Sequence, residues 1–597
     1  MTRGAEANRG SRLTLIVGGA VLLLLLGIVY GLNWHNTLSQ TEGHFTYGLD
    51  DPYIHLAISK NLASHGIWGV TAHGFSSASS SPLWTALLAL TIKVAGNHDI
   101  IPFILGVIAS VVAALICYSK FKQTGFHVVL AVISAFAVFM VGPLQLLPFT
   151  GMEHCLQILL DVMFACWVLD LFNSPVTLKQ VKFAALITML MCACRYESAF
   201  LIVIPFCVSL WRKEWKLATA FAIGPLVAIG GFGLYSTAVG MPFVPNSIIL
   251  KGKTPSFLPE VIVRAIGFLC NGTPAVWDLF VLTVGAGLLL RLKGLRETTL
   301  SLQIWIWTVV SATCMHAGLA VIGIYYRYEA YLVVLLAMAL ILAIDRILKF
   351  VWEGSDMEVP TVHWLLAILV GVVLQFGLTA ILWTYRLTSH VSMASNVLVG
   401  ALLAAMLLAP KTQRNLMRVF VGTTFLIATV MTIIDRSQTA HMEMPLASRD
   451  IYLQQVQMGR FIDRYYHDGK LAANDIGAVS YFSNVHLLDL VGLASDEIRI
   501  LRRAHNFLTD TVGVQLAKFD PDVIIVYKEW FKGIEALPAS MVLVSEWTIP
   551  QNTTAAGRTI RLYAPNLEKA KVLRANIEDF KKSLPSRVDV LMVDLPE

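Results

Sequence analysis

Charged residues are scarce in this chain. Only 14% of its 597 residues are Asp, Glu, Lys or Arg, whereas 56% are hydrophobic. Soluble domains carry roughly 25% charged residues, so this deficit excludes a soluble globular protein of ordinary composition and indicates that lipid solvates much of the surface. The formal net charge of +6 is small for this length and gives no reason to expect a nucleic-acid partner.

Disulfide, metal and nucleotide-binding patterns are also missing. All eight cysteines lie between Cys117 and Cys314, mostly in apolar runs, where cysteine behaves as a small hydrophobic residue. Cys192 and Cys194 are too close together for a zinc pair and lack further ligands. The C-terminal region contains no GxGxxG or P-loop motif, so the sequence predicts no nucleotide site there.

Long apolar runs are abundant. They fall at residues 15–30, 103–117, 128–141, 156–171, 217–235, 280–290, 304–324, 331–348, 365–383, 397–408 and 419–434, with a short run at 83–95 and a long one at 181–211. A spanning helix needs about 20 mostly apolar residues, so we expect about 11–13 transmembrane helices. The run at 181–211 would be roughly 46 Å long as one helix, against a hydrocarbon core of about 30 Å, and is expected to break near Arg195.

The N-terminal tail predicts the orientation. It carries Arg3, Arg9 and Arg12 against a single acid, Glu6. Positive charge stays on the cytoplasmic side, so we expect an integral protein of the cytoplasmic (inner) membrane with its N terminus in the cytoplasm. A cleaved signal peptide at residues 1–30 is a weaker interpretation, because the apolar run is long and lacks a clear cleavage site.

The composition changes after residue 435. Residues 436–597 contain charged clusters, helical patterns such as 452–466, and short apolar segments that predict strands at 478–481, 487–490, 523–527, 541–544 and 559–563. This alternation is typical of a small α/β domain. We therefore expect a transmembrane module at 1–435, with an external loop at 33–81, and an extracytoplasmic α/β domain at 436–597 that packs on the module or guides an acceptor.

Two adjacent carboxylates, Asp50 and Asp51, stand in the first external loop. Acidic groups are costly beside lipid unless their charge is used. Asp51 is a good N-cap and Pro52 suits the first helical turn, predicting a membrane-surface helix from Pro52 to about Ser64 that ends at Gly66. If Asp51 only caps this helix, Asp50 remains the free carboxylate. Either could act as a general base or hold a divalent cation against a phosphate, and no cofactor is certain.

Short motifs stand in a fixed order along residues 10–500. They are LDDPYIHL at 49–56, NLA at 61–63, SSPLW at 80–84, TGME at 150–153, RYE at 195–197, PNS at 245–247 with Lys251, DIGA at 475–478 and LDLVGL at 488–493. In this order they resemble the polytopic GT-C glycosyltransferases, and most closely the bacterial arabinofuranosyltransferase-like branch. Tyr196 stands where proline is usual in that family, and Pro52 stands where a small residue is usual.

The resemblance implies an inverting glycosyltransferase that moves a sugar from a polyprenyl-phosphate donor to a hydroxyl of a cell-envelope glycan or lipid at the outer membrane face. Glu153 joins the two aspartates as a catalytic candidate. A protein O-mannosyltransferase-like enzyme shares the broad plan. A lipid-linked glycan transporter would need paired broken helices in related halves, and a sensor would need neither a dozen spans nor acids in its first loop.

Five residues are candidates for substrate binding: His55, Arg195, Glu197, Lys251 and Arg327. Ionisable groups within apolar runs are usually functional, although an internal salt bridge is the plainer interpretation of Arg195 and Glu197. Such a pair at i and i+2 requires a helix break. Lys251, or Lys253 in its place, and Arg327 are candidates for the donor phosphate, because a guanidinium binds phosphate oxygens well. An interfacial arginine among tyrosines is the alternative for Arg327.

Glu153 poses a topological problem. If the runs at 83–95, 103–117 and 128–141 all span the membrane, Glu153 and Asp51 end on opposite sides. We expect the shortest run, 83–95, not to span. His316 stands alone in an apolar run and is interpreted as a core histidine.

Overall fold

The computed structural model describes residues 2–251, 300–323, 325–353, 440–527 and 540–596, with the isolated residues 283, 437, 529, 537 and 538. The helices of its first part are α1 (Thr2–Gln40), α2 (Asp51–His65), α3 (Pro82–Ala95), α4 (Ile101–Gln123), α5 (Val128–Val141), α6 (His154–Leu171), α7 (Leu178–Cys194), α8 (Val203–Trp211), α9 (Trp215–Pro225), α10 (Gly231–Ala238), α11 (Asn246–Lys251), α12 (Leu300–Leu319) and α13 (Ala330–Glu353). The predicted spans at 280–290, apart from residue 283, and at 365–383, 397–408 and 419–434 lie outside the described residues.

Five helical stretches of the described chain are long and apolar enough to cross a membrane. They are Leu13–Gln40, Ile101–Gln123, His154–Leu171, Trp215–Ala238 and Leu300–Leu319. The predicted fold class, a multi-span α-helical membrane protein with a C-terminal α/β domain, is confirmed. The total of 11–13 spans stays a prediction.

The helices α3 and α5 are both short. Each has 14 residues and extends about 21 Å, so their lengths do not distinguish them, and the expectation that the run at 83–95 does not span stays a prediction. The chain after α5 returns to the Asp50–Asp51 segment, where the Gly48 backbone N–H donates to the Phe149 carbonyl at 3.0 Å. Glu153 therefore lies on the same side of the helical module as Asp51.

One expectation for the first external loop is wrong. The helix α1 continues through Asn33 to Gln40, so the predicted loop at 33–81 begins within a helix, and its bounds stay a prediction. The helix α2 does not lie along a lipid surface, because Pro52–Ser59 are all buried between α3 and the C-terminal domain. Apolar spacing on one face could not reveal that a domain some 400 residues away covers the other faces.

The C-terminal domain is built on a six-stranded mixed sheet. Its strands are β1 (Lys470–Ala473), β2 (His486–Asp489), β3 (Val523–Val526), β4 (Val542–Thr548), β5 (Thr559–Ala564) and β6 (Asp589–Met592), in the order β2-β1-β3-β5-β4-β6. The strand β1 pairs in parallel with β2 and β3, and the other neighbours are antiparallel. The described helices are α14 (Gln457–Tyr466), α15 (Gly477–Phe482), α16 (Asp496–Arg503), α17 (Thr509–Phe519) and α18 (Leu567–Phe580).

Four of the five predicted strands correspond to β2, β3, β4 and β5. The fifth, at 478–481, is wrong because these residues form α15. Short apolar runs do not distinguish a buried strand from a buried helix. Here the first backbone N–H groups of α15 are bound by a carboxylate from the membrane module, as described below, which favours the helix.

Candidate active site

A buried carboxylate organises one end of the helical module. Glu153 precedes α6 and is fully buried. Its Oε1 accepts a hydrogen bond from Arg195 Nη1 at 2.7 Å, and its Oε2 lies 3.6 Å from His55 Nε2. Burial alone would raise the pKa of Glu153, but the neighbouring His154, Arg195 and His55 lower it to about 2, so the carboxylate is ionised.

The TGME motif has a physical explanation. Gly151 ends a short 3-10 helix in the left-handed region, with φ of 65°, a conformation that other residues adopt only with strain. A Cβ at this position would overlap Pro52 and the Tyr47 ring. The glycine therefore lets the segment before α6 lie directly against the start of α2, which brings Glu153 to His55.

The expected break in the run at 181–211 is present at Arg195. The helix α7 ends at Cys194, Arg195 is extended (φ −149°, ψ 131°), and a 3-10 turn follows at Tyr196–Leu201. The break lets Arg195 bind Glu197 in a forked geometry, with Nε to Oε2 at 3.1 Å and Nη2 to Oε1 at 2.5 Å. Tyr196 thus accommodates the break without the usual proline.

A second arginine lies beside the first. Arg327 is only 2% exposed, and its Nη2 donates to Asp51 Oδ2 at 2.7 Å and to the Tyr328 hydroxyl at 3.0 Å. The Tyr328 ring centroid is 4.8 Å from Arg327 Cζ and 5.4 Å from Arg195 Cζ. Arg327 Nε and Nη1 are buried and have no hydrogen-bond partner among the described residues.

Several of these side chains border an open cavity of about 320 Å³, whereas Glu153 and Arg327 do not line it themselves. Asp51, His55, Arg195, Glu197 and Tyr328 all line it, together with apolar side chains. The Asp51 side chain is 26% exposed, so its carboxylate reaches the space while it is held by Arg327. The cavity thus combines a carboxylate, a buried cation and an apolar wall.

Asp50 and Asp51 are used differently. Asp50 does not line the cavity; its carboxylate accepts the backbone N–H groups of Gly477 at 2.5 Å and Ala478 at 2.8 Å. Asp50 is also the residue before α2, but its side chain does not cap that helix. The alternative in which Asp51 caps and Asp50 stays free is therefore wrong, because Asp50 binds the C-terminal domain and Asp51 faces the cavity.

Gly477 makes this contact possible. A Cβ at Gly477 would overlap the Asp50 carbonyl oxygen and carboxylate. Asp475 adjoins the contact and accepts a hydrogen bond from Gln455 Nε2 at 2.8 Å. Burial raises the pKa of Asp475 well above its usual value, and the neighbouring Asp50 raises it further. Burial also raises the pKa of Asp50, although the Asp475, Ala478 and Gly477 hydrogen bonds oppose it. Both pKa shifts favour a bound proton at this pair of carboxyls.

The C-terminal domain contributes to the cavity itself. Leu493, in the loop after β2, is one of the lining residues, and its carbonyl accepts from Asn246 Nδ2 at 3.2 Å. The buried Asp489 shapes this loop by accepting the backbone N–H groups of Val491 and Ala494. The PNS and LDLVGL motifs therefore meet across the boundary between the module and the domain.

Two residues singled out in the sequence remain, Lys251 and His316. Lys251 ends α11, but its side chain lies outside the described part of the chain, as does Lys253. His316 is buried, with Nδ1 3.1 Å from the Tyr331 hydroxyl and Nε2 3.0 Å from the Val321 carbonyl, as expected of a core histidine.

Sequence reasoning missed His154 and Tyr328. Both adjoin a residue that was singled out, and the His154 ring lies 5.5 Å from the Tyr328 ring. Both ring nitrogens of His154 are buried without a hydrogen-bond partner in the described residues. Their position immediately beside Glu153 and Arg327 was the only available signal.

The geometry does not favour a shared metal at the aspartate pair. Asp50 and Asp51 bind different partners, a pair of backbone N–H groups and Arg327. Within the described ranges, no group of three or more His, Cys, Asp or Glu side chains is arranged to hold a metal ion.

The chain is similar in outline to two solved structures of ArnT from Cupriavidus metallidurans, one in the apo state (TM-score 0.47, 12% identity) and one bound to undecaprenyl phosphate (TM-score 0.46, 13% identity). Each likeness covers 90% of this chain and 97% of that chain. A family model described as a domain of unknown function (DUF8728) matches residues 449–563. No curated protein matches the chain. These likenesses assign no family, substrate or residue role to this chain.

Proposed function

We propose that this protein is an inverting glycosyltransferase that moves a sugar from a polyprenyl-phosphate donor to an acceptor hydroxyl of a cell-envelope glycan or lipid. The observation that carries the proposal is Arg327, which does not line the cavity but hydrogen-bonds to two side chains that do, Asp51 and Tyr328. Arg327 is buried and leaves two N–H groups without a partner among the described residues. Unsatisfied buried donors on a cation are costly, and a phosphate group would satisfy them. The motif resemblance found in the sequence supports the same chemistry.

The donor phosphate would bind between the two arginines. As the bond from the sugar carbon to the phosphate oxygen breaks, negative charge grows on the departing polyprenyl phosphate. A fixed guanidinium stabilises that charge more in the transition state than in the ground state. The Tyr328 ring centroid lies 5.4 Å from Arg195 Cζ and 4.8 Å from Arg327 Cζ, and the Tyr328 hydroxyl accepts a hydrogen bond from Arg327.

Asp51 is the proposed general base. Its carboxylate reaches the cavity and would accept the proton of the acceptor hydroxyl while that oxygen forms its bond to the sugar carbon. Attack opposite the departing phosphate inverts the sugar carbon. Asp50 has no part in this step in our proposal, because its carboxylate is bound by the C-terminal domain.

Glu153 is proposed as a positioning residue, although the sequence made it a catalytic candidate. It is fully buried and is not one of the cavity-lining residues. It fixes Arg195 through a 2.7 Å ion pair and approaches His55. His55 is in turn 3.1 Å from Thr85 Oγ1 through Nδ1, so both side chains at the cavity are held by groups outside it.

The orientation proposed from the N-terminal arginines gains support from the distribution of basic residues. Lys120, Lys122, Lys179, Lys182 and Lys213 lie near helix ends that are opposite the cavity. By the positive-inside rule these ends face the cytoplasm. The cavity and the C-terminal domain then face outside, where a lipid-linked sugar would meet an envelope acceptor.

The direct test uses the purified full-length chain with labelled polyprenyl-phosphate pentoses and hexoses and an envelope extract as acceptor. We expect acceptor-dependent release of polyprenyl phosphate, reduced about 10²–10⁴-fold by Asp51→Asn, since a general base contributes about that factor. The matched control is Asp510→Asn, which removes an exposed carboxylate in the first turn of α17 and should leave the rate unchanged.

The outcomes separate the alternatives. Label on protein rather than on glycan or lipid would indicate a protein O-mannosyltransferase-like acceptor. Movement of intact lipid-linked sugar across a vesicle membrane without release of lipid phosphate would indicate a transporter. Full activity in a folded Asp51→Asn variant would overturn the catalytic assignment.

A further inference from the structure

A second concave pocket lies at the other end of the helical module. It has a volume of about 890 Å³ and is formed by the α6–α7 connection, residues 172–178, and the α8–α9 connection, residues 212–217, with Val181. The 18 residues of α6 separate it from the candidate active site by about 27 Å. This distance is close to the thickness of a hydrocarbon core, about 30 Å, so the pocket lies at the opposite membrane boundary.

The pocket is positively charged. Arg212, Lys213 and Lys216 line it, against the single carboxylate of Glu214. Glu214 Oε1 is 3.2 Å from Arg212 Nε, so that acid is bound by the arginine. Lys213 and Lys216 are exposed and have no acidic partner in the part of the chain that the structure describes. Two lysine charges are therefore available to a ligand.

Exposed aromatic and apolar side chains surround these cations. Trp211 is 79% exposed, Trp215 is 62% exposed and Leu178 is 65% exposed. Tryptophan concentrates where a membrane meets water, because its ring is apolar and its N–H is polar. Lysines beside exposed tryptophans at this depth lie at the level of the lipid headgroups.

The pocket is a built feature of the fold. Arg212 Nη1 donates to the Phe172 carbonyl at 3.2 Å, and its guanidinium carbon lies 5.5 Å from the Phe172 ring centroid. Thr177 and Gln180 form a capping box that fixes the start of α7. Lys213 itself adopts a left-handed conformation with φ of 60°. The two connections are thus tied to each other, and the space between them is fixed.

We propose that this pocket binds the phosphate-bearing headgroup of an anionic phospholipid of the surrounding membrane. Lys213 and Lys216 would contact the phosphate. Arg212 would keep the two connections together through its hydrogen bond to Phe172. The tryptophans and Leu178 would contact the glycerol and upper acyl chains. A zwitterionic headgroup brings its own cation to the same lysines and would be bound less well. The inference does not depend on the proposed function.

The test compares two double variants of the full-length protein in phosphatidylcholine nanodiscs with a small fraction of phosphatidylglycerol. Lys213→Gln/Lys216→Gln removes the two pocket charges. Lys179→Gln/Lys182→Gln removes two exposed charges at the start of α7 that do not line the pocket. Lipid retained after extraction is counted by mass spectrometry, and thermal unfolding confirms that each variant is folded.

We expect the pocket variant to lose at least five-sixths of the retained phosphatidylglycerol and the α7 variant to lose less than half. Equal losses in the two variants would overturn the proposal, because they would indicate only general attraction between a basic surface and anionic lipid. Inorganic phosphate provides a further arm. If it binds to lipid-free protein and displaces phosphatidylglycerol at millimolar concentration, the pocket is a site for soluble phosphate and the lipid assignment is wrong.

Discussion

The positively charged side chains at the two ends of α6 and α7 differ in their burial. At the candidate active site, Arg195 and Arg327 are buried and bound by Glu153, Glu197 and Asp51. At the far end, Lys213 and Lys216 are exposed in an open pocket. Buried charges hold one geometry because breaking their partnerships is costly, whereas exposed lysines are screened and mobile. The first arrangement suits a reacting phosphate, and the second suits an exchanging lipid.

The largest expected effect comes from breaking the buried partnership. Arg195→Gln leaves the fully buried Glu153 carboxylate without its main partner, and we expect a loss of about 3–5 kcal/mol in the free energy of unfolding. Lys213→Gln at the far end should change it by less than about 0.5 kcal/mol. Thermal or denaturant unfolding in detergent measures both.

A double variant sharpens this prediction. Glu153→Gln combined with Arg195→Gln should recover part of the stability lost by Arg195→Gln alone, since neither buried charge is then left uncompensated. Strictly additive losses in the double variant would contradict the assignment of this ion pair.

A smaller effect is expected where the C-terminal domain is bound to the module. The Asp50 carboxylate accepts hydrogen bonds from the backbone N–H groups of Gly477 and Ala478. Asp50→Asn places an amide NH₂ group, itself a donor, against one of these N–H groups. We expect a loss of about 1–3 kcal/mol and increased proteolysis between the module and the domain. Unchanged stability together with abolished sugar transfer would instead indicate that Asp50 has a catalytic role.

The smallest expected effect is a dependence of the free energy of unfolding on pH. Because the pKa values of Asp475 and Asp50 are raised by burial in the folded protein, the folded protein holds a proton that the unfolded chain releases. This contribution to stability is fully present below the usual carboxyl pKa of about 4 and is lost as the pH rises through the raised value.

Asp475→Asn should remove this dependence. The amide keeps an acceptor for Gln455 and donates permanently to Asp50, so the variant should be more stable than the wild type at neutral pH and equally stable near pH 4. Unfolding temperatures of both proteins across this range provide the check. A wild-type stability that rises with pH while the variant stays flat would show that the two carboxyls hold no such proton.

The sequence predicted those features that depend on local chemistry. The break at Arg195 followed from a run too long for one span, and the ion pair with Glu197 followed from the break. Asp51, His55, Glu153 and Arg327, all candidates from the sequence, lie at one end of the helical module. The left-handed Gly151 explains why TGME belongs to that set.

The features that depend on long-range contacts could not be predicted from the sequence. Nothing near Asp50 indicates that residues 477 and 478 would occupy its carboxylate, so the roles of the two aspartates were left open. The same contact buried α2 and made a helix of the segment predicted as a strand at 478–481. Each of these outcomes depends on how the C-terminal domain packs on the module, which local patterns do not encode.

Direct binding of polyprenyl phosphate to the purified full-length protein tests the central claim, that the buried arginines serve a phosphate-tethered sugar. The account predicts that Arg327→Gln weakens this binding at least tenfold, that Arg327→Lys retains part of it because the charge remains, and that Lys213→Gln leaves it unchanged. Equal affinity in the wild type and a folded Arg327→Gln variant would contradict the account.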